Sequence, residues 1–314
     1  MASPVHVFAP FGKALRPQME RFFPGRPVVC WSSAEEFAAG IGTVEYLLAL
    51  DPPRQYWDRA VRLRLIQCLG AGVDGVLPAP DLPPSVRVAN NRGNSAPSMA
   101  EFALALILAL LKRLPGAMAA QREHRWQRFL PQTLEGRTLG ILGLGAIGQA
   151  LAQRARALGM RVIATQRTPK PHAQVERIHP PEGTGQVVAE ADILVILLPL
   201  TPETRGLLSA SLLEAMKPGA YVVDLARGGI LDEAALCRCL ESGALAGAAL
   251  DVFAQEPLPP ESSLWEAPNL LLTPHVAGAF PELLERALAA FAENVARLER
   301  GEEIRNAVDR ARGY

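Results

Sequence analysis

A chain of 314 residues is too long for one ordinary hydrophobic core and comfortable as two domains. Its 32 Lys and Arg offset 32 Asp and Glu and are scattered rather than clustered, so neither nucleic acid nor an anionic membrane surface is expected as a partner. The start MASPVHVFAPFGK lacks a basic segment followed by a long apolar run, so no signal peptide is read there.

From the N-terminus, the short apolar runs VHVF, VVCW, EYLLAL, LIQCL and VRVAN read as strands, with KALRPQMERFF and SAEEFAAG as helices between them. A longer helix is expected from about Pro97 to Gly116. Its apolar stretch Phe102 to Leu111 is too short to cross a bilayer, and Lys112 and Arg113 end it, so a buried helix is the better reading. After Gly136 the strand candidates are TLGILGLG, RVIAT, DILVILL, AYVVDLA, GAALDVF and NLLLTPH. A second long helix is expected from about Pro281 to Arg300. PAPDLPP and PLPPESS read as loops.

Strands apolar on both faces and separated by helices call for parallel sheets with helical cover. The expected fold is therefore α/β, two Rossmann-like or flavodoxin-like domains joined by two crossing helices. Residues 1–97 with 282–314 would form one domain and residues 98–281 the other. Cys30, Cys68, Cys237 and Cys239 have no framework spacing, and Cys237 and Cys239 stand two apart on an expected helix, hence on different faces. No metal site is expected, and a soluble protein of the reducing cytoplasm is.

Gly143, Gly145 and Gly148 form G-x-G-x-x-G directly after the strand TLGIL. A helix opened by Ala146 and Ile147 follows, with Ile147, Leu151, Ala155 and Leu158 on one face and Gly159 as its stop. The first glycine makes a tight turn, the second admits a pyrophosphate, and the third packs helix against strand. The helix N-terminus then faces the anion. Strand, loop, helix and next strand in this order make the motif a dinucleotide site.

Such sites usually hold the ribose with an Asp or Glu about 20 residues further on. Here the strand RVIAT ends in Gln166 and Arg167. A carboxylate would accept from the ribose 2′-hydroxyl of NAD and repel a 2′-phosphate. Gln166 removes the repulsion, Arg167 supplies a fork of donors, and Thr168 and Lys170 add a hydroxyl and a second charge. One charged hydrogen bond is worth roughly 1.5–3 kcal/mol, about a ten- to hundredfold preference. NADP(H) is the expected cofactor, with NAD(H) as the alternative.

Three later segments hold candidates for the reaction: Arg227 in VVDLARGGILDE, Glu256 in LDVFAQEPLP and His275 in LLLTPHVAG. Each follows a strand, and residues beyond the carboxyl ends of strands face the ligand crevice of an open α/β sheet. Reduction of a carbonyl needs a hydride, which a nicotinamide supplies, and a proton for the developing alkoxide. Imidazole exchanges protons near neutrality, so His275 is the expected acid. Glu256 would fix its tautomer and favour the imidazolium. Arg227 would polarise the carbonyl and pair with a substrate carboxylate.

The segments LGAGVDGV, NSAPSMAEFALALIL, GRTLGILGLGAIGQALA, LPLTPETRGLL, DLARGGILDEAAL, LDVFAQEPLP and NLLLTPHVAG resemble, in order and over nearly the whole chain, the motifs of the D-isomer-specific 2-hydroxyacid dehydrogenases. The resemblance implies Arg227, Glu256 and His275 as catalytic residues. It also implies substrate carboxylate binding at the amides of Ala71 and Gly72, and cofactor contacts at Met99, Pro199, Leu200, Thr201, Thr204, Ala226, Asp251 and Gly278. Asp224 stands where an Asn is usual in the family, which bears on hydrogen bonding near the pocket. Glu256 argues against the formate dehydrogenase branch, which has a Gln there.

The Gln166–Arg167 pair is similar to that of the NADP-using glyoxylate and hydroxypyruvate reductases. The function expected is thus a homodimeric NADPH-preferring reductase of small 2-oxo acids, giving D-2-hydroxy acids. In some of those relatives a partner-subunit Trp closes the pocket, which makes Trp126 a candidate. The alternatives are an NAD-linked dehydrogenase of phosphoglycerate type and a cofactor-sensing protein of corepressor type.

Overall fold

The computed structural model describes residues 3–310. The chain forms two compact units, one from the residues up to Ser95 and from Phe280 onward, the other from Ala96–Ala279. These divisions fall two residues ahead of the expected 97/98 and 281/282. At the first, the helix begins at Ala96 and takes Pro97 into its first turn, where a missing N–H costs nothing.

The first unit is built on five parallel strands, β1 (Val5–Phe8), β2 (Val28–Trp31), β3 (Tyr46–Ala49), β4 (Leu65–Cys68) and β5 (Arg87–Ala89), in the order β2-β1-β3-β4-β5. Val5 pairs with both Val28 and Tyr46, and Leu65 with both Tyr46 and Arg87. Every position of β1, β3 and β4 is buried, as strands covered on both faces require. Helices α1 (Arg16–Phe22) and α2 (Ala34–Gly40) follow β1 and β2, and Leu283–Glu299 supplies a third helix. Period-two alternation divides the core. Val5, Val7, Tyr46 and Leu48 pack with Met19, Leu288 and Phe291, whereas Phe8, Leu47, Ala49 and Ile66 pack with Phe37 and Trp57.

In the second unit the expected helix Pro97 to Gly116 is two helices, α3 (Ala96–Leu111) and α4 (Leu114–Arg122), bent by 62° at the break. Pro115 lacks the N–H that would continue α3, and Arg113 turns into the left-handed region at φ 51°. The carbonyl of Leu111 accepts instead from the amide of Gln132 at 3.0 Å. Leu106, Ile107, Leu110 and Leu111 of α3 are buried, each contributing roughly 1.5–3 kcal/mol of transfer free energy. Among the described residues no single helix is long and apolar enough to cross a membrane.

Seven parallel strands follow: β6 (Thr138–Leu142), β7 (Arg161–Thr165), β8 (Arg177–His179), β9 (Ile193–Ile196), β10 (Ala220–Asp224), β11 (Leu245–Leu250) and β12 (Leu270–Leu272). Their order is β12-β11-β10-β9-β6-β7-β8, the doubly wound arrangement. From β6 the chain winds outward through β7 and β8, then returns to β9 on the other side. The gap between the β6 and β9 ends is thus the topological switch point, where such sheets bind ligands. Strand β8 had no signature in the sequence, because a three-residue edge strand exposed at Arg177 carries no apolar run.

Helix α5 (Ala146–Ala157) buries Gly148, Leu151, Ala152 and Ala155. Leu158, expected on that face, lies past the helix end and is 44% exposed, while Gly159 makes the stop at φ 78°. Helices α6 (Thr184–Glu190), α7 (Ala210–Glu214) and α8 (Glu233–Glu241) complete the unit.

Candidate active site

The glycine loop joins β6 to α5 at the switch point, and its three glycines are required for different reasons. A Cβ on Gly143, which has φ 101°, would stand 2.7 Å from the Leu197 carbonyl oxygen, and one on Gly148 would stand 2.6 Å from the Gly143 oxygen. Both positions are constrained by the fold itself. Gly145, the N-cap of α5, has an ordinary φ of −87° and nothing within 4 Å of a Cβ. Nothing in the protein demands glycine there; open space beside an uncapped helix N-terminus does, if a pyrophosphate is to approach the amides of Ala146 and Ile147. The loop therefore fits a dinucleotide.

Strand β7 is tied to this loop at its end. Thr165 accepts from the Gly143 amide at 3.2 Å through Oγ1 and from the Leu144 amide at 2.8 Å through its carbonyl. Gln166, half-buried, donates from Nε2 to the Leu144 carbonyl at 3.2 Å and accepts from the Lys170 amide at 3.0 Å. Arg167, Thr168 and Lys170 are exposed on the turn so formed. Thr165 escaped the sequence reading, since a Thr ending an apolar strand has no distinguishing pattern.

Beyond β9, Thr201 and Thr204 knit a compact turn. The Thr201 amide donates to Thr204 Oγ1 at 2.8 Å, and that hydroxyl donates to the Pro199 carbonyl at 2.6 Å. Leu200 packs against the core beneath. Glu203 rides on the same turn. A hydrogen bond from Thr201, then one from its own amide, lowers its carboxyl below the usual range, with a smaller contribution from the charge of Arg167.

The three reaction candidates follow β10, β11 and β12. Arg227 is half-buried, with Nη1 donating to the Ala226 carbonyl at 2.7 Å. The Ala226 amide in turn donates to Asp224 Oδ1 at 2.9 Å. Burial pushes the Asp224 carboxyl up to about 7, because charge at the end of β10 is sealed from water. Gly228 lets this loop lie against the next, since a Cβ there would stand 1.7 Å from the Phe253 carbonyl oxygen.

His275 and Glu256 meet directly: Nδ1 lies 2.7 Å from Oε2. The other carboxylate oxygen, Oε1, accepts from the Phe253 amide at 3.0 Å, which anchors the Glu256 side chain. The histidine backbone is in the left-handed region at φ 53°, uncommon for a non-glycine residue. Asp251 holds it there. Buried at the end of β11, it accepts from Thr273 Oγ1 at 2.5 Å and from the amides of Val276 and Ala277 at 3.0 and 2.8 Å. Both oxygens of the expected cofactor contact Asp251 are thus engaged within the chain, and its carboxylate shapes the histidine loop. Gly278 follows in that loop, and Ser98 of α3 donates to the Ala277 carbonyl at 3.3 Å, one residue before Met99. Met99 packs on the cluster that includes Leu144 and Ala277.

Ala71 and Gly72 lie in the first unit, in the loop after β4. Asn90 Nδ2 donates to the Ala71 carbonyl at 2.8 Å, and Asn91 Nδ2 donates to the carbonyls of Cys68 and Leu69 at 3.0 and 2.9 Å. A buried chain from Asn91 through Gln67 to Asn294 braces these asparagines. The loop's backbone is thereby held through its carbonyls by a polar network that no local sequence pattern marked.

Known proteins share this fold. The model of the D-isomer specific 2-hydroxyacid dehydrogenase NAD binding domain matches residues 104–277. A glyoxylate/hydroxypyruvate reductase A of Serratia proteamaculans is 34% identical over 300 residues, covering 93% of both chains. The NADPH-dependent glyoxylate/hydroxypyruvate reductase of Sinorhizobium meliloti, solved in complex with NADP and sulfate, superposes with a TM-score of 0.89 at 32% identity over the full length of both chains. A D-isomer specific 2-hydroxyacid dehydrogenase of Xanthobacter autotrophicus Py2, solved with NADPH and MES, gives a TM-score of 0.87 at 37% identity, again over both full lengths. On the glycine loop, the doubly wound sheet and these matches, the chain belongs to the D-isomer specific 2-hydroxyacid dehydrogenase family.

Proposed function

We propose that the protein reduces a small 2-oxo acid of the glyoxylate or hydroxypyruvate type to the D-2-hydroxy acid, with NADPH as the preferred cofactor. The observation that carries the reading is the 2.7 Å contact of His275 Nδ1 with Glu256. When bound, a reduced nicotinamide would supply the hydride. Glu256, fixed by the Phe253 amide, accepts the Nδ1–H and orients the ring, so that Nε2 holds the proton given to the substrate oxygen. Arg227 pairs with the substrate carboxylate and polarises the oxo group; carboxylate binding at the amides of Ala71 and Gly72 is carried over from the family resemblance.

Cofactor preference rests on Arg167, with Thr168 and Lys170 beside it on an exposed turn at the end of β7 and no carboxylate at position 166. The relatives named above whose names specify NADPH or NADP support the same reading. The protein also acts as a homodimer. On and after α4, Leu114, Met118, Trp126 and Leu130 are exposed large apolar residues, the last two by 91% and 90%, and apolar side chains so exposed along one segment are suited to a second copy. All four cysteines are buried and unpaired, in keeping with the cytoplasm. A panel of 2-oxo acids assayed in parallel with NADPH and NADH tests the function. Reduction of glyoxylate or hydroxypyruvate, faster with NADPH at low cofactor, is the expected result; binding of NADPH with no turnover of any 2-oxo acid would favour a cofactor sensor.

A further inference from the structure

Position 166 is where a dinucleotide site ordinarily places its ribose-binding acid. Here the side chain turns inward. Gln166 Nε2 donates to the Leu144 carbonyl of the glycine loop, and Oε1 accepts from the Lys170 amide. These opposite polarities fix the amide orientation, since a donor faces a carbonyl and an acceptor faces an N–H. The bonds span the turn from one end to the other, and the Gln166 amide itself donates to the His179 carbonyl at 2.9 Å, closing the edge of the sheet. With the two bonds made by Thr165, four hydrogen bonds tie the end of β7 and its turn to the glycine loop and to each other.

We propose that Gln166 is a positioning residue for cofactor choice: it clamps the 166–170 turn to the glycine loop, so that Arg167, Thr168 and Lys170 are held toward the 2′-phosphate, and does not itself bind the ribose. This rests on the NADPH reading given above. Its consequence is that restoring an acid at this position does not restore NAD recognition. A carboxylate would keep the acceptor for Lys170 but lose the donor to Leu144, and it would face the carbonyl oxygen that Nε2 now satisfies.

Three variants test the clamp: Gln166→Ala, Gln166→Met, which keeps the length without either bond, and Gln166→Glu. Dissociation constants for NADPH and NADH are measured by fluorescence titration. All three should bind NADPH about tenfold or more weakly, while NADH binding changes less than about threefold. Tighter NADH binding by Gln166→Glu than by the natural protein would overturn the proposal, because it would put the acid on the ribose. Equal losses for the two cofactors in Gln166→Met would overturn it as well.

Hydrogen exchange of the cofactor-free protein provides a reading independent of NADPH. The Lys170 amide should exchange at least about tenfold faster in Gln166→Ala and Gln166→Met, and keep its protection in Gln166→Glu. Unchanged exchange in Gln166→Met would rule out the clamp. A natural protein without preference for NADPH would instead refute the cofactor reading, and exchange at Lys170 would still decide whether Gln166 holds the turn.

Discussion

With Nδ1 of His275 committed to Glu256 at 2.7 Å, Nε2 is the ring nitrogen left to exchange a proton with substrate. His275→Ala is therefore expected to lower kcat by about 10²–10⁴ with little change in cofactor affinity, measured by steady-state kinetics and fluorescence titration. Activity within a few fold of the natural protein would remove His275 as the acid. Arg167→Ala should weaken NADPH by about ten- to hundredfold and NADH far less, because the charged hydrogen bond proposed for Arg167 would face a group that NADH lacks. Asp224 gives a test in stability. Its carboxyl is raised by burial from an ordinary value of about 3.9 to about 7. The neutral form is thus favoured by folding, and the stability it contributes is complete below the ordinary value and lost as pH rises through about 7. Asp224→Asn keeps an oxygen for the Ala226 amide but never ionises. Its melting temperature should rise relative to the natural protein between about pH 4 and pH 7, and a pH-independent difference over that range would contradict the burial argument.

The glycine loop is the element where fold and function separate most clearly. Gly143 and Gly148 are held by backbone oxygens within 2.7 Å of a would-be Cβ, whereas Gly145 has nothing within 4 Å. Gly145→Ala should accordingly melt like the natural protein yet bind either dinucleotide at least about tenfold more weakly. Gly148→Ala should lower the melting temperature by several degrees even without cofactor. If Gly145→Ala bound both cofactors normally, the pyrophosphate could not lie at the start of α5. The break between α3 and α4 carries a further lesson. Pro115 is tolerated by the new helix as a first-turn residue, so the sequence does not mark where one helix ends and the next begins. What separates the two is the left-handed Arg113 and the capture of the Leu111 carbonyl by Gln132, a partner 21 residues away.

Across the whole molecule, assembly is the property most exposed to test. Light scattering at micromolar concentration should give twice the chain mass of 33.8 kDa, and Trp126→Asp with Leu130→Asp should shift it toward one chain; a monomeric natural protein would refute the dimer. The strands of both sheets, apart from β8, stood in the sequence as apolar runs, because a parallel strand buried on both faces must be apolar throughout. The glycine spacing and the placement of Arg227, Glu256 and His275 beyond strand ends were legible for a related reason: each follows one of those runs. What tertiary structure alone decided are the contacts made by groups far apart in the chain. Asp251 secures the His275 loop across 22 to 26 positions, Asn90 and Asn91 hold the β4 loop, and Gln166 turns its amide back to the Leu144 carbonyl. A side chain's identity sets which bonds it can make, but only the folded backbone determines which partner lies within 3 Å of it.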